Sequence, residues 1–535
     1  MKLPDIINRI SPAQKTVVEF KGLNRNSTIE DGEMREMHNL SSDEYPCLYQ
    51  RQRRGMHDAT HIDPHTMITK KDKLAIIDGT SFYYDGSLIS EVVLSEARPK
   101  RMAAINNWIA IFPDKVCYNI STGDVKGIAA SYEAGETISV AIYNDTLTIC
   151  TITATDTAPF TDFAVGDAVR ISGAKNGESD MKTIETVIKA INNDSTVITI
   201  PADSFTEILG TAATTLNQTG GLKVERLAPD LDHIMESNNR LWGCKGSYIY
   251  ASKQGDPFNW NYFQALAGDS YAVSVGSDGD FTGCCAYSAH LLFFKEGCIH
   301  KLYGNKPSNY QIVDANCHGL EAGSDKSVAI INDTVFYKSA VGIMAYAGGS
   351  PELISSQFGT KDKYTNAVAG HDNDKYYVSM MNSDGKWNLF VFDLAKVLWH
   401  REDDTHALQF SLSAGKLYYI DADTNKIMTI KGIEEVEDIE WSCELGEFDE
   451  YIEQKKIYSR IMMRLDMDTG SEIKISVKTD DNEWEMKTNM YAETRRAVQM
   501  PIIPERCNKF RLKIEGKGYC KIASMVREYR EGSII

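Results

Sequence analysis

Along most of the chain, apolar residues come in runs of four to seven, broken by Asn, Asp and Gly. They do not recur at the spacing of a helix face. "LAIIDGTSFYYDG" (Leu74–Gly86) sets the pattern: an apolar run, a polar turn, an aromatic–aliphatic run and a second turn. It returns in "AAINNWIAIFPDKVCYN", "MESNNRLWGCKGSYIYAS", "AYSAHLLFFKEGCIHKLYG", "AIINDTVFYKSAVGIMAYAGG", "VAGHDNDKYYVSMMNSDGKWNLFVFDL" and "FSLSAGKLYYIDADTNKIMTI". Short runs bounded by turn formers predict strands. The turns near Asn238, His290, Asn332, Asn373 and Gly415 are 52, 42, 41 and 42 residues apart. That period, with several strands per unit, predicts the blades of a β-propeller. Seven copies imply about seven blades. Six remain open, because the first two turns, at Asp78 and Asn106, are only 28 apart. One of those blades is therefore abbreviated or completed by the N-terminal segment.

Two stretches break the period. Asn106 and Asn238 are 132 residues apart, and 92 of these, Ala130–Gly221, read as an insertion whose removal leaves 40, one period. Within it "FAVGDAVRISG" and "STVITIPADSF" alternate apolar and polar residues, which predicts a small β-barrel or sandwich. From Trp441 the repeat is lost, and long alternating runs such as "ERCNKFRLKIEG" predict a terminal β-sandwich. The expectation is an all-β chain with a strap over 1–60, a propeller over 61–129 and 222–435, an inserted small barrel over 130–221 and a sandwich over 436–535.

Composition supports this reading. Of 535 residues, 26 are Tyr and 18 Phe, which favours strands. The formal net charge of −18 disfavours sequence-reading contact with nucleic acid. It is the ordinary mark of solubility, and it also suits a wall along which DNA slides without sticking. Eleven Cys without a CxxC pair fit a reducing compartment. No apolar run has the length of a signal peptide core or a membrane span, so a cytoplasmic site of synthesis without membrane contact is expected.

Candidate chemistry is sparse. His57, His61 and His65 are evenly spaced, but Pro64 breaks the helix that would align them, leaving a polar loop. Asp421, Asp423 and Asn425 have calcium-loop spacing without the turn glycine or a closing Glu, so a hairpin is expected. "NSDGKWN" has the wrong order for an aspartate box. "GSDGDFTG" precedes no helix that would cradle a phosphate. No catalytic residue, cofactor or metal is expected. The segment Asp31–Arg54 runs from an acidic start through Asn39 and Pro46 to Arg51, Arg53 and Arg54. It reads either as a solvated run or as a docking strap whose arginines grip carboxylates of a neighbouring subunit.

"GLNRNSTIEDGEMREMHNLSSDEYPCLYQRQRR" (Gly22–Arg54) resembles the opening of tailed-bacteriophage tail-nozzle and packaged-DNA-stabilisation proteins. "NNRLWGCKGSYIYASKQGDPFNWNYF" is similar to their second hallmark, with Asp256, Pro257, Asn259 and Trp260 in its Asp-Pro-x-Asn-Trp block. The resemblance implies a propeller body in a homo-oligomeric ring, commonly a hexamer, below the portal and its adaptor. It implies a virion tail protein, assembled in the host cytoplasm, that retains packaged DNA and conducts it during ejection. It carries over no catalytic residues. Asn39, Pro46, Arg51, Arg53, Arg54, Asp256, Pro257 and Trp260 are the expected interface or structural positions. "EYPCLYQ" and the large insertion depart from the pattern. The competing expectation is a tail-tip propeller that binds or degrades carbohydrate, with Trp260, Tyr262 and Trp387 lining a sugar cleft. A cellular scaffold propeller is a third, weakened by the absence of a Trp-Asp blade signature.

Overall fold

The computed structural model describes residues 12–531 apart from 136, 143–148, 177–178, 202–213, 289, 373, 434–437, 494–495 and 503–505. The chain is all-β. Among the described residues, helix is confined to three-residue 3-10 turns such as Ser356–Phe358. Two compact units emerge, residues 63–320 and residues 1–62 with 321–535.

The repeat becomes seven four-stranded antiparallel sheets. In residues 63–320, sheet I runs from Pro64–Lys70 to Ser87–Leu88 and sheet II from Arg101–Ile105 to Val125–Gly127. Sheet III runs from His233–Ser237 to Tyr271–Ser274, and sheet IV from Gly283–Tyr287 to Gln311–Asn316. In the other unit, sheet V runs from Ala329–Ile331 to Glu352–Leu353 and sheet VI from Tyr364–His371 to Leu398–Arg401. Sheet VII has three consecutive strands, Ala407–Ser413, Lys416–Asp421 and Lys426–Thr429, and takes its fourth, Gly55–Asp58, from near the N-terminus. Within each unit the first strands of successive sheets lie beside one another.

The recurring turns are two-residue hairpins between the first and second strands. Asn238 and Asn239 have φ of 53° and 57°, and Asn332 and Asp333 have 48° and 57°. Positive φ at both central positions is the twist a tight hairpin demands, and Asn tolerates it better than most residues. Asn373 lies outside the described residues. In sheet I the equivalent hairpin is Lys71–Asp72, also left-handed at φ 51° and 57°, whereas Asp78 belongs to the next hairpin. Counted from Lys71, the first interval is 35 residues rather than 28, still shorter than the later ones. Sheet I has all four of its own strands, and the N-terminal strand completes sheet VII instead.

Each sheet is too small to bury both faces, and neighbours share cores. Ile77, Phe82, Ile109 and Ile111 join sheets I and II. Phe112, Leu231, Leu241 and Trp260 continue into sheet III, and Trp242, Ile249, Phe293 and Leu302 join sheets III and IV. Tyr377, Val391, Phe410 and Tyr419 join sheets VI and VII.

The insertion folds as sheets of four and five strands, with a two-stranded ribbon of Lys175–Asn176 and Ser179–Asp180, around one core that includes Ile152, Phe160, Ile171, Ile198 and Val224. It ends later than expected, because Lys223–Arg226 pairs with Ala130–Glu133 and closes its neck.

The terminal domain has a six-stranded and a seven-stranded sheet over a shared core. Its long strands alternate as predicted: in Phe510–Lys517 the residues Phe510, Leu512 and Ile514 are buried and those between are partly exposed. The N-terminal segment is woven into both sheets. Gly22–Leu23 and Glu33–His38 extend the six-stranded one; Ala13–Val17, Leu40–Ser41 and Leu48–Gln50 belong to the other. Residues 13–50 are thus part of the sandwich rather than a separate strap. Two glycines of the opening motif are forced by close approach. A Cβ on Gly22 (φ 85°) would sit 2.2 Å from the Trp399 carbonyl oxygen, and one on Gly32 (φ 91°) 2.2 Å from that of Glu19.

Candidate functional site

The predicted arginines are brought together by the run from Leu40 to the strand Gly55–Asp58. They turn onto their own chain. Arg54, 3% exposed, donates from Nη2 to Glu402 Oε2 and Asp403 Oδ2, both at 2.7 Å, and from Nη1 to the Ile430 carbonyl at 2.8 Å. Arg51 Nε lies 3.1 Å from the same Asp403 oxygen and donates to Asn39 Oδ1 at 2.7 Å. Asn39, left-handed at φ 56°, donates its backbone N–H to the Glu402 carbonyl and its side-chain amide to the Glu440 carbonyl at 2.7 Å. Arg53 pairs with Asp438 at 3.1 Å near the surface, and the Pro46 carbonyl accepts from Phe20 N at 3.0 Å.

A second buried set lies alongside. Lys375 donates to Asp43 at 2.6 Å, and Ser42 donates to Asp393 at 2.6 Å. These contacts tie residues 39–54 to sheets VI and VII. The forked guanidinium suits the task, since one planar group reaches two carboxylates and a carbonyl at once.

The electrostatics follow from burial. Burial alone would raise the Asp403 carboxyl, but Arg54 and Arg51 outweigh it and hold it far below its ordinary range. Glu402 is also lowered, burial being overcome by Arg54 and His400. His400 is lowered because burial disfavours the imidazolium, although Glu402 at 3.5 Å partly offsets this.

The second hallmark is a staple at the neck of the insertion. Asp256 accepts from Phe258 N at 2.8 Å and from Asn259 Nδ2 at 2.6 Å. Asn259 reaches into the insertion, donating to Asp167 at 3.3 Å and accepting from Ala168 N at 2.7 Å. Trp260, 2% exposed, donates its indole N–H to the Pro257 carbonyl at 2.9 Å. Arg226, which closes the neck, donates to Asp167 at 2.5 Å and to the carbonyls of Ile128, Gly127 and Asp162. Sequence reasoning missed Arg226, Asp167, Lys375 and the Glu402–Asp403 pair. The acidic run "REDDTH" directly after a strand was the available signal for the last.

A cavity of about 780 Å³ adjoins the arginines, lined by His38, Asn39, Arg51, Glu440, Trp441, Glu472, Lys474, Glu515 and Lys517 among others. Its charges are loosely matched, with Lys517–Glu440 at 3.7 Å and Lys474–Glu515 at 3.9 Å. Among the described residues, no group of three or more His, Cys, Asp or Glu is placed to hold a metal ion. His57 packs edge-on to Tyr418 at 4.9 Å, and His65 Nδ1 lies 3.0 Å from the Asp63 carbonyl. Asp421 accepts from Thr424 in a hairpin turn, and Asn382 accepts from Asp384 N and Lys386 N in another. The aromatic residues expected in a sugar cleft are engaged separately. Trp260 is buried, Tyr262 has Lys253 Nζ 3.8 Å above its ring, and Trp387 stacks on His406 at 3.8 Å.

No family model matches the chain, and no curated protein matches it. Among solved structures it has a likeness to Raptor of Chaetomium thermophilum, with 9% identity and a TM-score of 0.35; the match covers 71% of this chain and 29% of that one. The exo-β-1,3-galactanase of Phanerochaete chrysosporium gives 7% identity and a TM-score of 0.22 over 55% of this chain and 95% of that one. BBS1N, solved in complex with ARL6DN, gives 10% and 0.25 over 71% of this chain and 97% of that one. Likenesses this low bear no argument about the chain.

Proposed function

We propose that this chain is a structural protein of a tailed-bacteriophage virion, at the tail nozzle or head–tail connector. Its seven repeated sheets close into a propeller, sealed in sheet VII by the strand Gly55–Asp58. Copies assemble into a ring, commonly a hexamer in the family it resembles, next to the portal, its adaptor and other tail proteins. The ring retains packaged DNA and conducts it during ejection. The acidic excess keeps the passage from binding phosphate. Its action is mechanical and electrostatic rather than catalytic.

The observation that carries this reading is where the opening motif lies. Gly22, Gly32, Asn39 and Arg54, which carry the resemblance, are the residues that lock the N-terminal segment into the sandwich and sheets VI and VII. A motif used this way marks a shared architecture rather than a shared active centre. Ring contacts then fall on the outer surfaces, since Arg51 and Arg54 are already occupied within the chain.

Negative-stain electron microscopy of the purified protein tests the proposal. Rings with a central pore, six-fold in averaged views, are expected. Isolated single copies at every concentration tried would remove it.

A further inference from the structure

Sheets III and IV, both within residues 63–320, bring two thiols into contact. Cys244 lies on the strand Arg240–Lys245 of sheet III, and Cys284 on the strand Gly283–Tyr287 of sheet IV. These strands come within 8 Å of one another between Cα atoms. Cys244 is in register with Ile249, and Cys284 with Phe293. All four side chains meet in the core that the two sheets share. There the Cys244 and Cys284 thiols are hydrogen-bonded to each other. The next residue, Cys285, is in register with Leu292 and points to the opposite face of its strand, as alternation requires.

The two thiols differ in access. Cys244 is fully buried, and burial pushes its thiol well above the ordinary range, so it stays protonated and does not begin a reaction by itself. Cys284 is partly exposed at the margin of the same core. An oxidant from solvent therefore meets Cys284 first, and Cys244 is the neighbour placed to resolve it. Thiols stay open in a reducing compartment and become oxidisable outside it.

We propose that Cys284 and Cys244 form a peroxide-oxidisable pair that closes to a disulfide and staples sheet III to sheet IV. The Cys284 thiolate attacks one oxygen of hydrogen peroxide. The S–O bond forms, the O–O bond breaks, and the released hydroxide leaves as water with the proton that Cys284 gave up. The Cys244 sulfur then attacks the sulfenic sulfur. The S–S bond forms, the S–O bond breaks, and the departing oxygen takes the Cys244 proton and leaves as water. Two thiols are thus oxidised by two electrons, and one peroxide is reduced to two waters. The bond spans the 40 positions from Cys244 to Cys284. It removes freedom from the unfolded chain, so the oxidised protein is the more stable form. The pair belongs to a single chain and does not depend on ring assembly, so its failure and that of the proposed function are separate outcomes.

Mass spectrometry of the full chain tests it, after reduction, desalting and treatment with hydrogen peroxide. Trypsin digestion without reductant should yield the peptide Leu241–Lys245 joined to Gln254–Lys295. The second peptide also carries Cys285, so the link should persist in Cys285→Ser and vanish in Cys284→Ser. Circular dichroism checks that both variants keep the wild-type fold. Oxidation should raise the wild-type thermal midpoint by about 5 °C or more, the scale of a closed loop of this length. Absence of the joined peptides from oxidised wild type overturns the proposal. A link that persists in Cys284→Ser overturns it as well, because Cys285 is then the partner. An oxidised midpoint no higher than the reduced one also overturns it, because the bond then staples nothing.

Discussion

Arg54 and Arg53 are adjacent in sequence and opposite in energetics. Arg54 is buried against two carboxylates, whereas Arg53 and its partner Asp438 are 42% and 47% exposed. Removing one member of a buried pair leaves the other charge uncompensated, at about 3–5 kcal/mol, while exposed pairs contribute about 0–1 kcal/mol. Arg54→Met should therefore lower the urea midpoint strongly, and Arg53→Met should leave it nearly unchanged. Equal effects would contradict this account of the cluster. The same residues set an acid response. Asp403 and Glu402 titrate lower folded than unfolded, so their contribution is present above the ordinary carboxylate range and lost as pH falls through their folded values. His400 is also lower when folded, so its share is complete above pH 6.5 and begins to be lost below it. Urea midpoints should decline from just below pH 6.5 and more steeply in the acid range. His400→Gln should flatten the upper part of that decline and leave the lower part.

At the level of the element, the two-residue hairpins set the repeat. Asn332 holds φ 48° with a side chain that tolerates the left-handed region. Alanine there costs about 1–2 kcal/mol, and glycine little. Asn332→Ala should lower the thermal midpoint of its unit and Asn332→Gly should restore it, as read by differential scanning calorimetry. These hairpins were legible because their chemistry is local. Lys71–Asp72 shows the limit of that reading. It adopts the same turn without a residue that announces it, so the count slipped to Asp78. The insertion's edge moved for a similar reason, since Lys223–Arg226 looks like any short strand until its partner Ala130–Glu133 is known.

Across the whole molecule, the governing contacts join distant parts of the chain. Ala13–Val17 pairs with residues 525–529, and Gln14 donates to Glu528 across 514 positions. Arg54 meets Glu402 across 348. Such closures form only after the C-terminal strands exist, and they place residues 13–50 and the strands from Glu440 onward in one sandwich. The assembly proposed above rests on this scale, because a body with its N-terminal segment sewn in presents a fixed outer surface to its neighbours.

Strand class, repeat length, the presence of an insertion and the change of style at Trp441 were determined by the sequence alone, because alternation and turn chemistry act over a few residues. The partners of Arg51 and Arg54, the use of Gly55–Asp58 in sheet VII and the Asn259–Asp167 staple were decided only by tertiary structure. The chain offers 75 acidic residues, and nothing local tells an arginine which of them will lie within reach once the sheets have packed.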